Sequence, residues 1–173
     1  MRRLIALIVL SAAPAYAQGH FTLTSPDVKP GATIPAKHAF NGMGCTGQNL
    51  SPALKWSGAP AGTKSFAVTV YDPDAPTGSG WWHWVVYDIP GNVTSLAEGA
   101  KGVGAEGNTD FGAKGYGGPC PPPGDKPHRY VFTVFALKVD KLEVPANASC
   151  ALVGFMLNAN KLATASLTAL YAR

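Results

Sequence analysis

Three runs of β-branched and aromatic residues constrain this chain most: Phe66-Ala67-Val68-Thr69-Val70-Tyr71, Trp84-Val85-Val86-Tyr87-Asp88-Ile89 and Tyr130-Val131-Phe132-Thr133-Val134-Phe135-Ala136-Leu137. Pro/Gly clusters bound each run, and their length and composition are those of strands. The third is apolar on both faces, so it belongs inside a sheet that is covered on both sides. Residues 21–24 and 166–171 are shorter strand candidates. Only 149–162 looks helical: Leu152, Phe155, Met156 and Ala159 recur at helical spacing behind a cap at Asn147 or Ser149, and a weaker helical turn is expected over 95–98. No repeat or linker divides the 173 residues. One mainly β domain with a late helix follows.

The 20 glycines and 15 prolines lack a three-residue period, which excludes collagen. They gather in polar loops over 41–52, 72–80 and 102–126. The last of these is longer than an ordinary connection in a compact domain, and loops of that length tend to be functional.

At the N-terminus, Arg2 and Arg3 precede an apolar run from Leu4 to Leu10, and Ala15-Tyr16-Ala17 supplies the small residues of a signal-peptidase site. A signal peptide over 1–17, cleaved after Ala17, and a domain over 18–173 are expected. The run is too short to span a bilayer and Pro14 interrupts its end, so stable membrane insertion is not expected. Removing Arg2 and Arg3 with the leader takes the formal charge from +4 to +2. No basic cluster remains to suggest nucleic acid. The expected location is the periplasm or the exterior of a bacterium. In such an oxidising compartment three cysteines imply one disulfide and one spare thiol. Cys45 and Cys120 sit in Gly-rich loops, whereas Cys150 opens the helix, so Cys45–Cys120 is the favoured pair and Cys150 a buried thiol. The absence of Cys-x-x-Cys argues against a thioredoxin-like or cysteine-based zinc site.

The polar residues with chemistry cluster at strand ends. Asp72-Pro73-Asp74-Ala75-Pro76 follows the first long strand, and its prolines fix the directions of both carboxylates. Taken alone, this is a rigid turn with Asp capping local N–H groups. Trp81-Trp82-His83-Trp84 opens the second strand, where alternation sets His83 opposite Trp82 and Trp84; a lone His among tryptophans is more often a core residue than a catalyst. His128 and Tyr130 point one way from the third strand and Arg129 the other. The Gly/Pro loop before them offers N–H groups suited to an anion. Together they suggest a small polar pocket.

Asp72-Pro73-Asp74-Ala75-Pro76, His83, and the Gly118-x-x-Pro121-Pro122-x-Gly124-x-x-x-His128-Arg129-Tyr130 segment resemble the signature of the phosphatidylethanolamine-binding protein family, or Raf kinase inhibitor-like proteins. Cys45-Thr46-Gly47-Gln48-Asn49-Leu50-Ser51-Pro52 and Val153-Gly154-Phe155-Met156 resemble its bacterial YbhB/YbcL branch. The resemblance implies a β-sandwich of a larger and a smaller antiparallel sheet with few helices. It implies a ligand pocket of Asp72, His83, Pro122, His128 and Tyr130, supported by Asp74 and Arg129, and a homodimer as assembly. Residues 161–173 read as strand where eukaryotic members carry a closing helix, so the resemblance does not carry over those members' lipid preference or kinase contact.

The leading functional expectation is a non-catalytic protein binding a small anion, phosphate or carboxylate, with no cofactor. The alternative is a protein inhibitor or signalling modulator, acting on a host or periplasmic partner through a rim of Trp81, Trp82 and residues 102–118. Hydrolysis ranks third, because the nearest serine in sequence is Ser79 and no nucleophile motif surrounds it. A metal held by two His and one Asp ranks last, since neither His83 nor His128 has a second ligand two to four residues on.

Overall fold

The computed structural model describes residues 20–173. The expected signal peptide and its cleavage site lie outside the described residues. In chain order the strands are β1 (Thr22–Thr24), β2 (Asn41–Gly42), β3 (Cys45–Thr46), β4 (Leu54–Ser57), β5 (Ser65–Asp72), β6 (Trp81–Pro90), β7 (Ser95–Leu96), β8 (Ala105–Glu106), β9 (His128–Leu137) and β10 (Lys161–Tyr171). One α-helix, α1 (Cys150–Asn160), and a 3₁₀ turn at Ala36–His38 complete the set.

The three apolar runs become β5, β6 and β9, the middle of a five-stranded antiparallel sheet ordered β10-β9-β5-β6-β8. A second sheet, β1-β4-β7, faces it, and β2-β3 forms a separate hairpin. Leu23, Leu54, Trp56 and Leu96 of the small sheet pack against Phe66, Val68, Trp84, Phe132 and Val134 of the large one. Each of the large side chains buried there contributes roughly 2 kcal/mol through removal from water. The other face of the large sheet carries Ala67, Val85, Phe135 and Leu137, covered by α1 and by Leu142 and Ala148. β9 is therefore buried on both faces, as its composition requires.

Two sequence expectations change. Residues 95–98 do not turn into a helix: Leu96 is buried and pairs with Leu54, so cross-strand pairing overrides the weak local preference. The helix runs with Ser149 as its cap, the Ser149 hydroxyl accepting the Leu152 N–H at 3.2 Å. It ends at Asn160 rather than 162, because Lys161 already pairs with Leu137 as the start of β10. Its buried face is Cys150, Val153, Gly154 and Leu157; Leu152 and Phe155 are exposed. Both stripes obey helical spacing, and the sheet chooses the one that places Val153 and Leu157 against Ala67, Val85 and Leu137.

Candidate functional site

Antiparallel pairing sets the C-terminal end of β5 beside the N-terminal ends of β6 and β9. Asp72 pairs with Trp81, and Tyr71 with Val131. Asp72, His83, His128 and Tyr130 thus meet at one end of the large sheet. They line a pocket of ≈ 170 Å³ whose walls include Pro121, Pro122, Trp81 and Phe111.

A bulge corrects the expected direction of His83. Val70 faces Trp84 and Tyr71 faces Trp82, which leaves His83 as the extra residue of β6. His83 consequently shares the side of Trp84, its ring centroid 5.1 Å from that of Tyr130. Trp82 turns to the opposite face and packs on Tyr71 at 4.7 Å.

Asp72 does two things at once. Its Oδ1 accepts the Asp74 N–H at 2.8 Å, which is the local turn expected from sequence. Its Oδ2 accepts the Nδ1–H of His128 at 2.8 Å, both side chains being only 3% exposed. Asp74 receives the backbone N–H and Nε–H of Arg129 at 2.9 Å and its Nη2–H at 2.7 Å. The Arg129 guanidinium holds the Asp74 carboxyl well below the usual carboxylate range and ties the Asp-Pro loop to the start of β9.

His83 donates Nδ1–H to the Gly117 carbonyl at 2.7 Å. Burial lowers its pKa to about 4, so near neutral pH the ring is uncharged and Nε2 carries a lone pair. Tyr130 is fully buried, and its hydroxyl lacks a hydrogen-bond partner among the described residues. Burial first, and the neighbouring Asp72 charge second, keep that phenol protonated. The Nε1–H of Trp81 is likewise unpartnered.

Two N–H groups of the Gly-rich segment expected to cradle an anion are already bonded within the protein. The N–H of Gly117 is taken by the His83 carbonyl at 2.8 Å, and that of Gly118 by Asn49 Oδ1 at 2.7 Å. A Cβ at Gly117 would overlap the Phe111 ring, and one at Gly118 the His38 carbonyl. These glycines serve close approach of chain segments. The disulfide expected between Cys45 and Cys120 is present, with Cα atoms 5.9 Å apart, and Cys120 lines the pocket. Cys150 is a buried free thiol whose pKa burial pushes up to about 12.

The chain matches the family model described as phosphatidylethanolamine-binding protein over residues 24–172. It belongs to the phosphatidylethanolamine-binding protein family. The UPF0098 protein YbcL of Escherichia coli K12 is 55% identical, with 99% of this chain and 98% of the relative aligned. YbhB of the same organism is 50% identical over 86% of this chain and 98% of its own length. The crystal structure of E. coli YbcL, described as a new member of the mammalian PEBP family, superposes with a TM-score of 0.86, covering 91% of this chain and 99% of that one.

Within this family member, several residues in or beside the pocket were not foreseen. Phe111 comes from the long 102–126 loop and stands 5.4 Å from His83, 5.3 Å from Trp81 and 4.3 Å from Phe40 by ring centroids. Met43, 68% exposed, stands at the pocket mouth. Asp125 sets Oδ2 3.3 Å from His128 Nε2. No spacing rule links Phe111 or Met43 to the site; Asp125 lies three residues before His128, but only the turn closed by its N–H to the Pro122 carbonyl brings the two together. Among the described residues, Asp72, His83 and His128 do not form a three-ligand metal group. No helix among them is long and apolar enough to cross a membrane.

Proposed function

We propose that this protein is an exported, non-catalytic binding protein whose pocket takes a small anionic group such as a phosphate or carboxylate. The observation that carries this reading is the Tyr130 hydroxyl: a buried donor beside the Asp72 carboxylate, without a well-formed hydrogen bond among the described residues, in a pocket lined by two histidines. An unmet donor costs about 1–3 kcal/mol, and an incoming oxyanion removes that cost. The Trp81 N–H adds a second donor in the lining.

His83 joins the ligand in one of two equivalent ways. Either its Nε2 takes up a proton and donates to the anion, or a protonated oxygen of the ligand donates to the Nε2 lone pair. Both couple binding to a proton, so affinity rises as pH falls. The non-catalytic reading is supported by the lining itself. The Thr77 hydroxyl donates to the Gly80 carbonyl at 2.5 Å, and Ser79 is outside the lining. Export is supported by the leader-like residues before the family match at 24 and by the disulfide.

Isothermal titration of the purified protein with inorganic phosphate and with phosphoethanolamine, at pH 5.5 and pH 8, tests the reading. Binding that strengthens at pH 5.5 is expected. No heat at either pH, or one affinity at both, would remove it.

A further inference from the structure

On the side of the molecule bearing the small sheet, His38 is fully buried on its 3₁₀ turn. Its Nδ1–H donates to the Leu50 carbonyl at 2.7 Å, which leaves Nε2 with a lone pair, and Nε2 is buried without a partner among the described residues. A ring nitrogen of His38 and carboxylate oxygens of Asp27 and Glu98 lie within 4.8 Å of one another. Nδ1 is committed to Leu50, so a cation at this cluster would take Nε2, the buried ring nitrogen that has no partner among the described residues. The Lys37 ammonium is already drawn to the same carboxylates, donating to Asp27 Oδ1 at 3.4 Å and to Glu98 Oε2.

We propose that Asp27, His38 and Glu98 form a binding site for a first-row divalent cation, zinc foremost, which enters by displacing the Lys37 ammonium. One imidazole nitrogen with two carboxylate oxygens is a donor set suited to zinc, whereas calcium and magnesium take oxygen ligands alone. The ring is oriented as metal-bound histidines are, by a carbonyl on its far nitrogen. Asp27 is fixed in the same manner, its Oδ2 accepting the Ala53 N–H at 2.8 Å.

The remaining two side chains supply the movement. Bonds of about 2 Å around a tetrahedral ion set ligand atoms roughly 3–4 Å apart, so the cluster contracts by about 1 Å on loading. Glu98 and Lys37 are about one-third exposed, and both are free to swing. Two carboxylates with one ammonium carry net −1; with a divalent ion in its place the cluster is neutral, and the orphaned Nε2 gains its partner. Asp27 follows β1, Glu98 follows β7, and His38 precedes the loop that carries Met43 and Cys45. The ion would therefore clip the small sheet to the segment forming one pocket wall.

The test is calorimetric titration of zinc chloride into the purified protein and its Lys37→Met, Glu98→Gln and Asp27→Asn variants, with the cobalt(II) visible spectrum as a second readout. One ion per chain is expected. Lys37→Met should tighten binding by about ten-fold by removing the competitor, and Glu98→Gln and Asp27→Asn should each weaken it by about ten-fold or more. The four-coordinate cobalt absorption should be lost in Glu98→Gln. Lys37→Met and Glu98→Gln alter partly exposed side chains and spare the buried His38, Asp27→Asn keeps an amide oxygen able to accept the Ala53 N–H, and urea unfolding of each variant checks that the fold is retained. No heat in both wild type and Lys37→Met overturns the proposal. So does unaltered binding in the carboxylate variants, which would place zinc elsewhere, for instance at His20. An unchanged affinity in Lys37→Met would show that the ammonium does not occupy the ion's place and would equally overturn it.

Discussion

Asp125 holds a carboxylate oxygen 3.3 Å from Nε2 of His128, the ring nitrogen that Asp72 leaves free. Any anion that uses His128 as a donor must come to that nitrogen, because Nδ1 is engaged with Asp72. Asp125 is 42% exposed, at the end of a turn, and can withdraw. It is an internal competitor for the proposed ligand.

Replacing Asp125 by Asn should then raise affinity for inorganic phosphate. Removing the half-exposed Asp125 carboxylate relieves a screened repulsion of up to about 1 kcal/mol against an incoming anion, so the gain is up to about five-fold at low salt and smaller at high salt. Titration calorimetry at two ionic strengths reads it. A fall in affinity would mean that Asp125 supports the pocket instead of contesting it.

His83 makes stability depend on pH with a definite sign. Its folded pKa, about 4, lies below the ordinary value of 6.5, so the unfolded chain binds the proton first. The contribution is complete above pH 6.5 and is lost as pH falls towards 4, amounting to about 3 kcal/mol across that window. Urea unfolding at pH 7.5 and 4.5 should show this loss, and His83→Gln should flatten the slope. Asp74, held low by Arg129, acts below this window, where it loses its contribution as the carboxyl protonates. A slope unchanged in His83→Gln would assign the effect to another group.

How far the site could be read from sequence follows from the range of each interaction. His128 and Tyr130 share a face because they are two residues apart on one strand, and period two is visible in any strand. Asp72 as turn former was equally local. His83 could be nominated but not aimed, because a bulge depends on the register of β5 against β6. Its partner, the Gly117 carbonyl, lies 34 residues away in a loop without periodicity. The helix illustrates the same limit: two apolar stripes fit α1, and only the sheet beneath it selects Val153 and Leu157 over Leu152 and Phe155. The cluster of Asp27, His38 and Glu98 has no sequence signature, since a turn and two loops of the small-sheet side bring it together.

Reduction of Cys45–Cys120 should cost stability and disturb the pocket. The bond closes a separation of 75 residues, for which chain-entropy arguments give up to roughly 4 kcal/mol. Denaturant midpoints with and without dithiothreitol, and in a Cys45→Ser/Cys120→Ser variant, measure it. Cys150 should not rescue the pairing, being buried with a thiol pKa of about 12. An unchanged midpoint would mean that the Gly118 N–H to Asn49 and Phe40 N–H to Pro119 hydrogen bonds suffice to hold the two loops together.

Tyr130→Phe separates a binding role from a structural one. The ring is fully buried among core residues and is retained in the variant, while the hydroxyl, which lacks a well-formed hydrogen bond among the described residues, is removed. If the hydroxyl serves only the fold, its loss should destabilise the protein. If it awaits a ligand, its loss relieves an unmet polar group, so stability should stay level or rise by about 1 kcal/mol. Phosphate affinity should meanwhile fall by about ten-fold, the worth of one hydrogen bond to a charged acceptor. Denaturant unfolding and calorimetry on the same preparation give both numbers. Lowered affinity with level or raised stability fits the pocket proposed for this protein, and a parallel loss of the two would return Tyr130 to the core.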